Sequence, residues 1–257
     1  MKEIRYAFLD PTGNKTILVE SPVPVEDQPS AAAELMELEP DAEQAGYLTA
    51  DGDRISLRMA GGEFCGNAAM SAAALCAMDR GMSSGALRVS VSGAAEPVAV
   101  SVKVQNDGTV RGTVRMPKPV SVGTEAFPDG AVLPVVRFDG ICHVIAEDAL
   151  TRVRAEAVLP EWCRFLRADA AGIMLLDREA GTLSPLVYVP AAGTLCWERS
   201  CASGTTAVGA YLAAKEGPVS LELTQPGGTL KIEAADDGEL YLTGRVRMVR
   251  RRSVWVP

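Results

Sequence analysis

Residues 61–78, GGEFCGNAAMSAAALCAM, and residues 198–214, ERSCASGTTAVGAYLAA, carry the same order of chemistry twice in one chain. In each, a cysteine flanked by small residues leads straight into a run of small, mostly apolar residues. Alanine is the strongest helix former, so both runs predict helices. Neither helix has a polar face. A helix that is apolar all round must be buried all round, and strands wrapped about it would meet that need.

The flanking segments supply those strands. Residues 45–59, AGYLTADGDRISLRM, read as a strand, a D-G-D turn and a second strand, and LRVSVSG follows at 87–93. Residues 171–190, AGIMLLDREAGTLSPLVYVP, repeat the hairpin ahead of the second helix, with VSLELTQPGG and TLKIEA behind it. The order strand, strand, small-residue helix, strand, strand thus occurs twice. The fold expected is α/β, with two pseudo-symmetric halves. Each is a strand-rich sheet or barrel around a central buried helix. The halves are drawn at 1–118 and 119–257, with the last strand free to return to the first half. The proline-bearing MPKPVSVGTEAFPDGAVLP, 116–134, reads as the passage between them. A surface helix is expected over 30–38, and another over 155–168 interrupted at Pro160. RVRMVRRR, 245–252, reads as a strand with a solvated charged face rather than an anion site.

Composition narrows the function classes. The 257 residues carry a net charge of −8, which disfavours a nucleic-acid partner. No apolar run reaches the ~18 residues of a membrane span, and MKEIRYAFLDPTGN lacks the apolar stretch of an export signal. A cytoplasmic location with reduced cysteines is therefore expected. The cysteines at 65, 76, 142, 163, 196 and 201 form no C-x-x-C pair, and His143 is the single histidine, so no metal site is expected. No lysine sits in an evident phosphate-binding context, and no cofactor is expected.

Cys65 and Cys201 each stand where a loop becomes a buried helix. That position offers unpaired amides and the positive end of the helix dipole. Such a setting favours a thiolate near neutral pH, and the same amides can hold a carboxylate. Gly66, Ala202 and Gly204 are small enough to admit a ligand to the backbone. With the halves face to face, the two cysteines would confront each other across one anion-binding cleft. One thiolate would remove the α-proton of a pinned amino acid while the opposite thiol delivers another, inverting the centre by paired general acid–base catalysis. Cys76, inside its helix, reads as inert core, and Cys163 and Cys196 have no such setting.

At these residues the chain resembles the diaminopimelate epimerase superfamily of cofactor-independent, two-cysteine racemases and epimerases. Within it, the chain looks most like the histidine racemases of opine-metallophore biosynthesis. PTGNKTILV, EQAGYL, GGEFCGNAAMS, GIMLLD, SPLVYVP, WERSCASGT and QPGG resemble that family's segments in the same order. The resemblance implies that Cys65 and Cys201 are catalytic. It implies that Asn14 binds substrate, that Gly66, Asn67, Ala202 and Ser203 cradle the α-carboxylate, and that His143 and Glu198 assist the cysteines or hold the α-amino group. The segment MAGGEFC is shorter than its diaminopimelate epimerase counterpart, Glu198 lies close before Cys201, and Ile141 stands where an asparagine is usual. These departures weaken diaminopimelate as substrate. In the histidine-racemase branch, an acid at the place of Glu43 is positioned to meet the substrate side chain. The implied partner is a small-molecule amino acid, with a homodimer left open. Diaminopimelate epimerase proper and a non-catalytic amino-acid-binding module are the competing readings.

Overall fold

The computed structural model describes residues 2–147 and 150–256. The chain divides into two compact units, Met1–Arg115 with Thr243–Pro257, and Met116–Leu242. The first run of elements is β1 (Lys2–Pro11), β2 (Thr16–Val19), α1 (Gln28–Leu38), β3 (Gln44–Asp51), β4 (Arg54–Met59), α2 (Gly66–Asp79), β5 (Ser84–Val91), β6 (Val98–Val104) and β7 (Val110–Met116). The second is β8 (Ser121–Ala126), β9 (Val132–Arg137), β10 (Ile141–Glu147), α3 (Arg152–Leu166), β11 (Ala170–Asp177), β12 (Thr182–Val189), β13 (Thr194–Trp197), α4 (Ala202–Glu216), β14 (Val219–Gln225) and β15 (Gly228–Ala234). The final strand, β16 (Leu240–Val256), begins in the second unit and runs into the first.

In the first unit the strands follow chain order from β1 to β7, then β16, which pairs back to β1 and closes an eight-stranded barrel. Pairs β2–β3 and β4–β5 are parallel, and the helices that make those crossovers are α1 and α2. Helix α2 packs against β1 through β6, and every residue from Gly66 to Ala77 is buried. Helix α1 covers the other face of the barrel wall. Ile4, Tyr6 and Phe8 of β1 join Ala31, Ala32 and Leu35 of α1 in one core, while the alternate residues Ala7 and Leu9 are buried from the opposite side. Burial on both faces accounts for the near-continuous apolar strands.

The second unit repeats the scheme. Its sheet runs β15-β14-β12-β11-β10-β9-β8, with β13 also on β12. Again the two parallel pairs, β10–β11 and β12–β14, are bridged by helices, α3 and α4. Helix α4 packs against strands from both ends of this sheet, β15 and β14 at one and β8 and β9 at the other, and α3 packs on β11 and β12. The expected pseudo-repeat of strands about a central small-residue helix is therefore present in both units. No helix among the described residues is long and apolar enough to cross a membrane.

Two local expectations need correction. The passage 116–134 contains β8 and the start of β9, because Phe127 at the hairpin between them is buried and stacks on Trp162 at 4.1 Å between ring centroids. Pro160 does not interrupt its helix, since α3 runs unbroken from Arg152 to Leu166; Ala155, Leu159 and Trp162 anchor it in the core on either side of the proline. The basic end of β16 is a strand with an exposed charged face, as expected, and its arginines are also ion-paired. Arg252 donates to Tyr6 Oη at 2.6 Å and to Glu39 at 3.0 Å, and Glu39 is only 3% exposed. Arg251 pairs with Glu20 and with Asp79.

Gly209 shows how tightly α4 is seated. A Cβ at this position would overlap Cγ1 of the buried Ile232 on β15. Overpacking costs about 1–3 kcal/mol, against a gain of about 1 kcal/mol from the better helix former. Gly209→Ala is therefore expected to lower stability by about 1 kcal/mol in urea unfolding. In an Ile232→Ala background, which removes the obstructing atom, the same change should become neutral or stabilising.

Candidate active site

Cys65 and Cys201 occupy the same structural position in their respective units. Each is the N-cap of its buried helix, in extended backbone conformation, and each sulfur accepts a hydrogen bond from the amide three residues on. Ala68 N–H donates to Cys65 Sγ at 3.4 Å, and Gly204 N–H donates to Cys201 Sγ at 3.3 Å. A thiol here does what a serine or aspartate cap does, satisfying one of the helix's orphan donors. The first two amides of each helix, on Gly66 and Asn67 and on Ala202 and Ser203, have no intrahelical acceptor by geometry. They are the atoms suited to a carboxylate.

In the first unit the loop leading to Cys65 is pinned from behind. Ser92 Oγ donates to Glu63 O at 2.8 Å, and Gly93, in the left-handed region at φ 71°, lies so close to Phe64 N that any Cβ would overlap it. Asn14, 6% exposed in the β1–β2 turn, donates through Nδ2 to Glu43 Oε2 at 2.5 Å and accepts from Gln44 Nε2 at 2.6 Å. The two residues singled out for substrate binding are thus hydrogen-bonded to each other. Glu43 lies in the loop before β3, half-buried, and outside α1.

In the second unit His143, Glu198, Cys201 and Ser203 come together. His143 on β10 is fully buried, and its Nε2 lies 2.9 Å from Ser203 Oγ. Ser203 Oγ in turn lies 3.6 Å from Cys201 Sγ, and the Glu198 carboxylate is hydrogen-bonded to the same thiol. Burial pushes the Cys201 thiol up from its ordinary range, with the Glu198 charge adding to the rise; Ser203 and the Gly204 amide pull the other way and lose. This reverses the expected acidification at a helix start. The dipole effect is a fraction of a charge in the first turn, whereas desolvation acts on the whole thiolate.

Gly204 also departs from expectation. Its amide is taken by the sulfur, and the space where a ligand was to approach is filled by Met174, whose Sδ a Cβ at Gly204 would overlap. Sequence reading passed over Gln225 and Thr205. Gln225 Oε1 accepts from Cys201 N–H at 2.9 Å, Gln225 Nε2 donates to Thr205 Oγ1 at 2.8 Å, and Thr205 Oγ1 donates to Cys201 O at 2.7 Å. This buried ring locks the cap of α4, and its only sequence trace is the QPGG segment. Cys76, Cys142 and Cys163 are core residues whose thiols burial pushes up. Among the described residues no group of three or more His, Cys, Asp or Glu side chains is arranged to hold a metal ion.

Burial lowers the His143 pKa to about 3, against ~6.5 in an unfolded chain. The stability this contributes is complete above about pH 6.5 and is lost as pH falls toward 3, because the unfolded chain binds the proton first. At pH 5 the loss should be about 2 kcal/mol. Urea midpoints are expected to fall between pH 7.5 and pH 5, and His143→Gln, which cannot titrate, should remove that part of the slope.

Known proteins share this arrangement of fold and sequence. Residues 3–254 match the family model described as histidine racemase CntK N-terminal domain. The chain is 32% identical over 257 residues to a histidine racemase of Fusobacterium nucleatum subsp. nucleatum, covering 96% of this chain and 95% of that protein. It is 28% identical over 245 residues to a histidine racemase of Staphylococcus aureus, covering 89% and 88%. Among solved structures, a predicted epimerase from Pseudomonas aeruginosa superposes with a TM-score of 0.74 at 18% identity, over 99% of this chain and 100% of that one. A probable proline racemase from Agrobacterium radiobacter K84 gives 0.70 at 13% identity, over 99% and 93%. These two likenesses concern the fold. The match along nearly the whole sequence settles the family: the chain belongs to the histidine racemases, and with them to the racemase and epimerase class of isomerases.

Proposed function

We propose that this protein interconverts L- and D-histidine without a cofactor, with Cys65 and Cys201 as its two acid–base groups. The observation that carries this reading is the identical setting of the two sulfurs, each capping a buried small-residue helix. The amides of Gly66, Asn67, Ala202 and Ser203 receive the α-carboxylate and stabilise the charge that develops on it as the carbanion forms. Burial pushes the Cys201 thiol up, so this sulfur rests as the thiol. In one direction Cys65 takes the α-proton while Cys201 supplies a proton to the α-carbon, and the two sulfurs thereby exchange protonation states. The reverse direction uses the same groups. Histidine as substrate is supported by the named activity of the relatives and by Glu43, which Asn14 anchors for contact with a polar side chain. The reaction belongs in the cytoplasm, where thiols stay reduced, and D-histidine suits opine-metallophore assembly as a building block.

Cys65→Ser and Cys201→Ser are each expected to slow racemisation by roughly 10²–10⁴-fold, the worth of a positioned general acid or base. Incubation of L-histidine in deuterium oxide, followed by chiral separation and mass spectrometry, measures both inversion and α-deuterium. Near-normal inversion by either single variant would refute the two-base reading.

Glu43→Gln is expected to lower kcat/KM for histidine about tenfold, since a charge-assisted hydrogen bond to the imidazole would be lost. Alanine and methionine, which lack that donor, should change far less. An equal loss for all three amino acids would show that Glu43 serves only to hold Asn14.

A further inference from the structure

Among the polar groups around Cys201, the Ser203 hydroxyl holds a place that carboxylate binding by its backbone amide does not explain. The geometry points to Ser203 as a positioning residue whose hydroxyl steadies the Cys201 thiolate, in a direction set by a neutral His143. Its catalytic meaning rests on the reading of Cys201 as a proton-transfer group.

His143 Nδ1 is buried and has no hydrogen-bond partner. It faces Gly172 on β11, so closely that a Cβ there would stand 2.6 Å away, with Met174 Cε beside it. A proton on Nδ1 would point at carbon and be an orphaned donor, the rarer and costlier defect in a protein interior. The ring proton therefore belongs on Nε2. Nε2–H donates to Ser203 Oγ across 2.9 Å, which occupies a lone pair of that oxygen and leaves its own proton to be directed elsewhere. The sulfur of Cys201 lies 3.6 Å from it.

The sulfur then sits between opposed partners. As a thiol it donates to Glu198; as a thiolate it accepts from Ser203 O–H and Gly204 N–H. When the proton passes to the substrate carbon, the charge left on sulfur meets two donors already aimed at it. Ser203 and His143 keep their own protons throughout. The charged group acting on the thiol is Glu198, and the residues facing His143, namely Phe138, Gly172 and Met174, are uncharged. Burial, the sole cause of the lowered imidazole pKa, keeps the ring uncharged at working pH. Histidine is thus a fixed donor here, not the acid or base of the reaction. Ser203 is the second residue of α4, and its counterpart in α2 is Asn67, which carries no hydroxyl.

His143 is the only histidine in the chain, which permits a direct test on the intact protein. With ¹⁵N-labelled histidine, the ring nitrogens should report a neutral Nε2–H tautomer that does not change between pH 5 and pH 9. A protonated ring or an Nδ1–H tautomer would overturn the assignment. The second readout is the pH dependence of Cys201 alkylation by iodoacetamide, followed by peptide mass spectrometry. Ser203→Ala should raise the apparent thiol pKa by about one unit, a tenfold loss of thiolate at fixed pH, and Ser203→Thr should restore it. His143→Leu should shift it in the same direction by less, and adding His143→Leu to Ser203→Ala should do nothing further. An unshifted Ser203→Ala, or additive shifts in the double variant, would overturn it. Neither readout uses turnover, so a failure of the histidine-racemase reading would leave these results standing, and the reverse holds too.

Discussion

Burying an α-helix on every side leaves one problem that side-chain packing cannot solve, the unpaired amides of its first turn. Helices α2 and α4 are enclosed because their small residues let strands approach from several directions. Their N-termini must then find acceptors close at hand. In both units a cysteine sulfur takes the third amide. The demand that closes the core is therefore also the demand that builds the site. A thiol is a weak acceptor compared with a carboxylate or hydroxyl, and its presence at both caps costs helix stability that Ser or Asp would have supplied. Such a sacrifice is expected where chemistry needs a polarizable acid–base group.

The electrostatics at Cys201 are set by competition rather than by the helix alone. At Cys201 the favourable contacts come from the Gly204 amide and the Ser203 hydroxyl, and they are outweighed by burial and by the neighbouring Glu198 carboxylate. His143 illustrates the same rule with the opposite charge type. Burial disfavours its cation, so the residue serves as a neutral hydrogen-bonding group although its unfolded pKa lies near neutrality.

Rigidity around the second thiol has identifiable sources. The ring through Gln225, Thr205 and the Cys201 backbone joins β14 to the first turn of α4, and Gly209 lets the same helix lie directly on Ile232. Met174 presses on Gly204 and, with Gly172, shapes the slot for His143. In the first unit the equivalent support is Ser92 and Gly93 behind the loop to Cys65. The repeated topology is thus furnished with different side chains, and the two cysteines share a backbone setting without sharing their neighbours.

The sequence alone determined what depends on neighbours in the chain. Alanine-rich runs with no polar face announced two enclosed helices, and the cysteine immediately before each run announced a thiol at a helix start; both follow from local propensity and periodicity. The hairpins before and after them were legible for the same reason, and so was the twofold pattern. Tertiary structure decided whatever depends on residues distant in sequence. It brought Ser203 to His143, gave Gln225 to the Cys201 amide, filled the space at Gly204 with Met174, and paired Asn14 with Glu43. It reversed the expected ionisation of Cys201, because desolvation follows the whole surrounding volume and not the adjacent helix. It also carried α3 through Pro160 and turned the proline-bearing passage into strand, since burial of Leu159, Trp162 and Phe127 outweighs the local breaking tendency of proline.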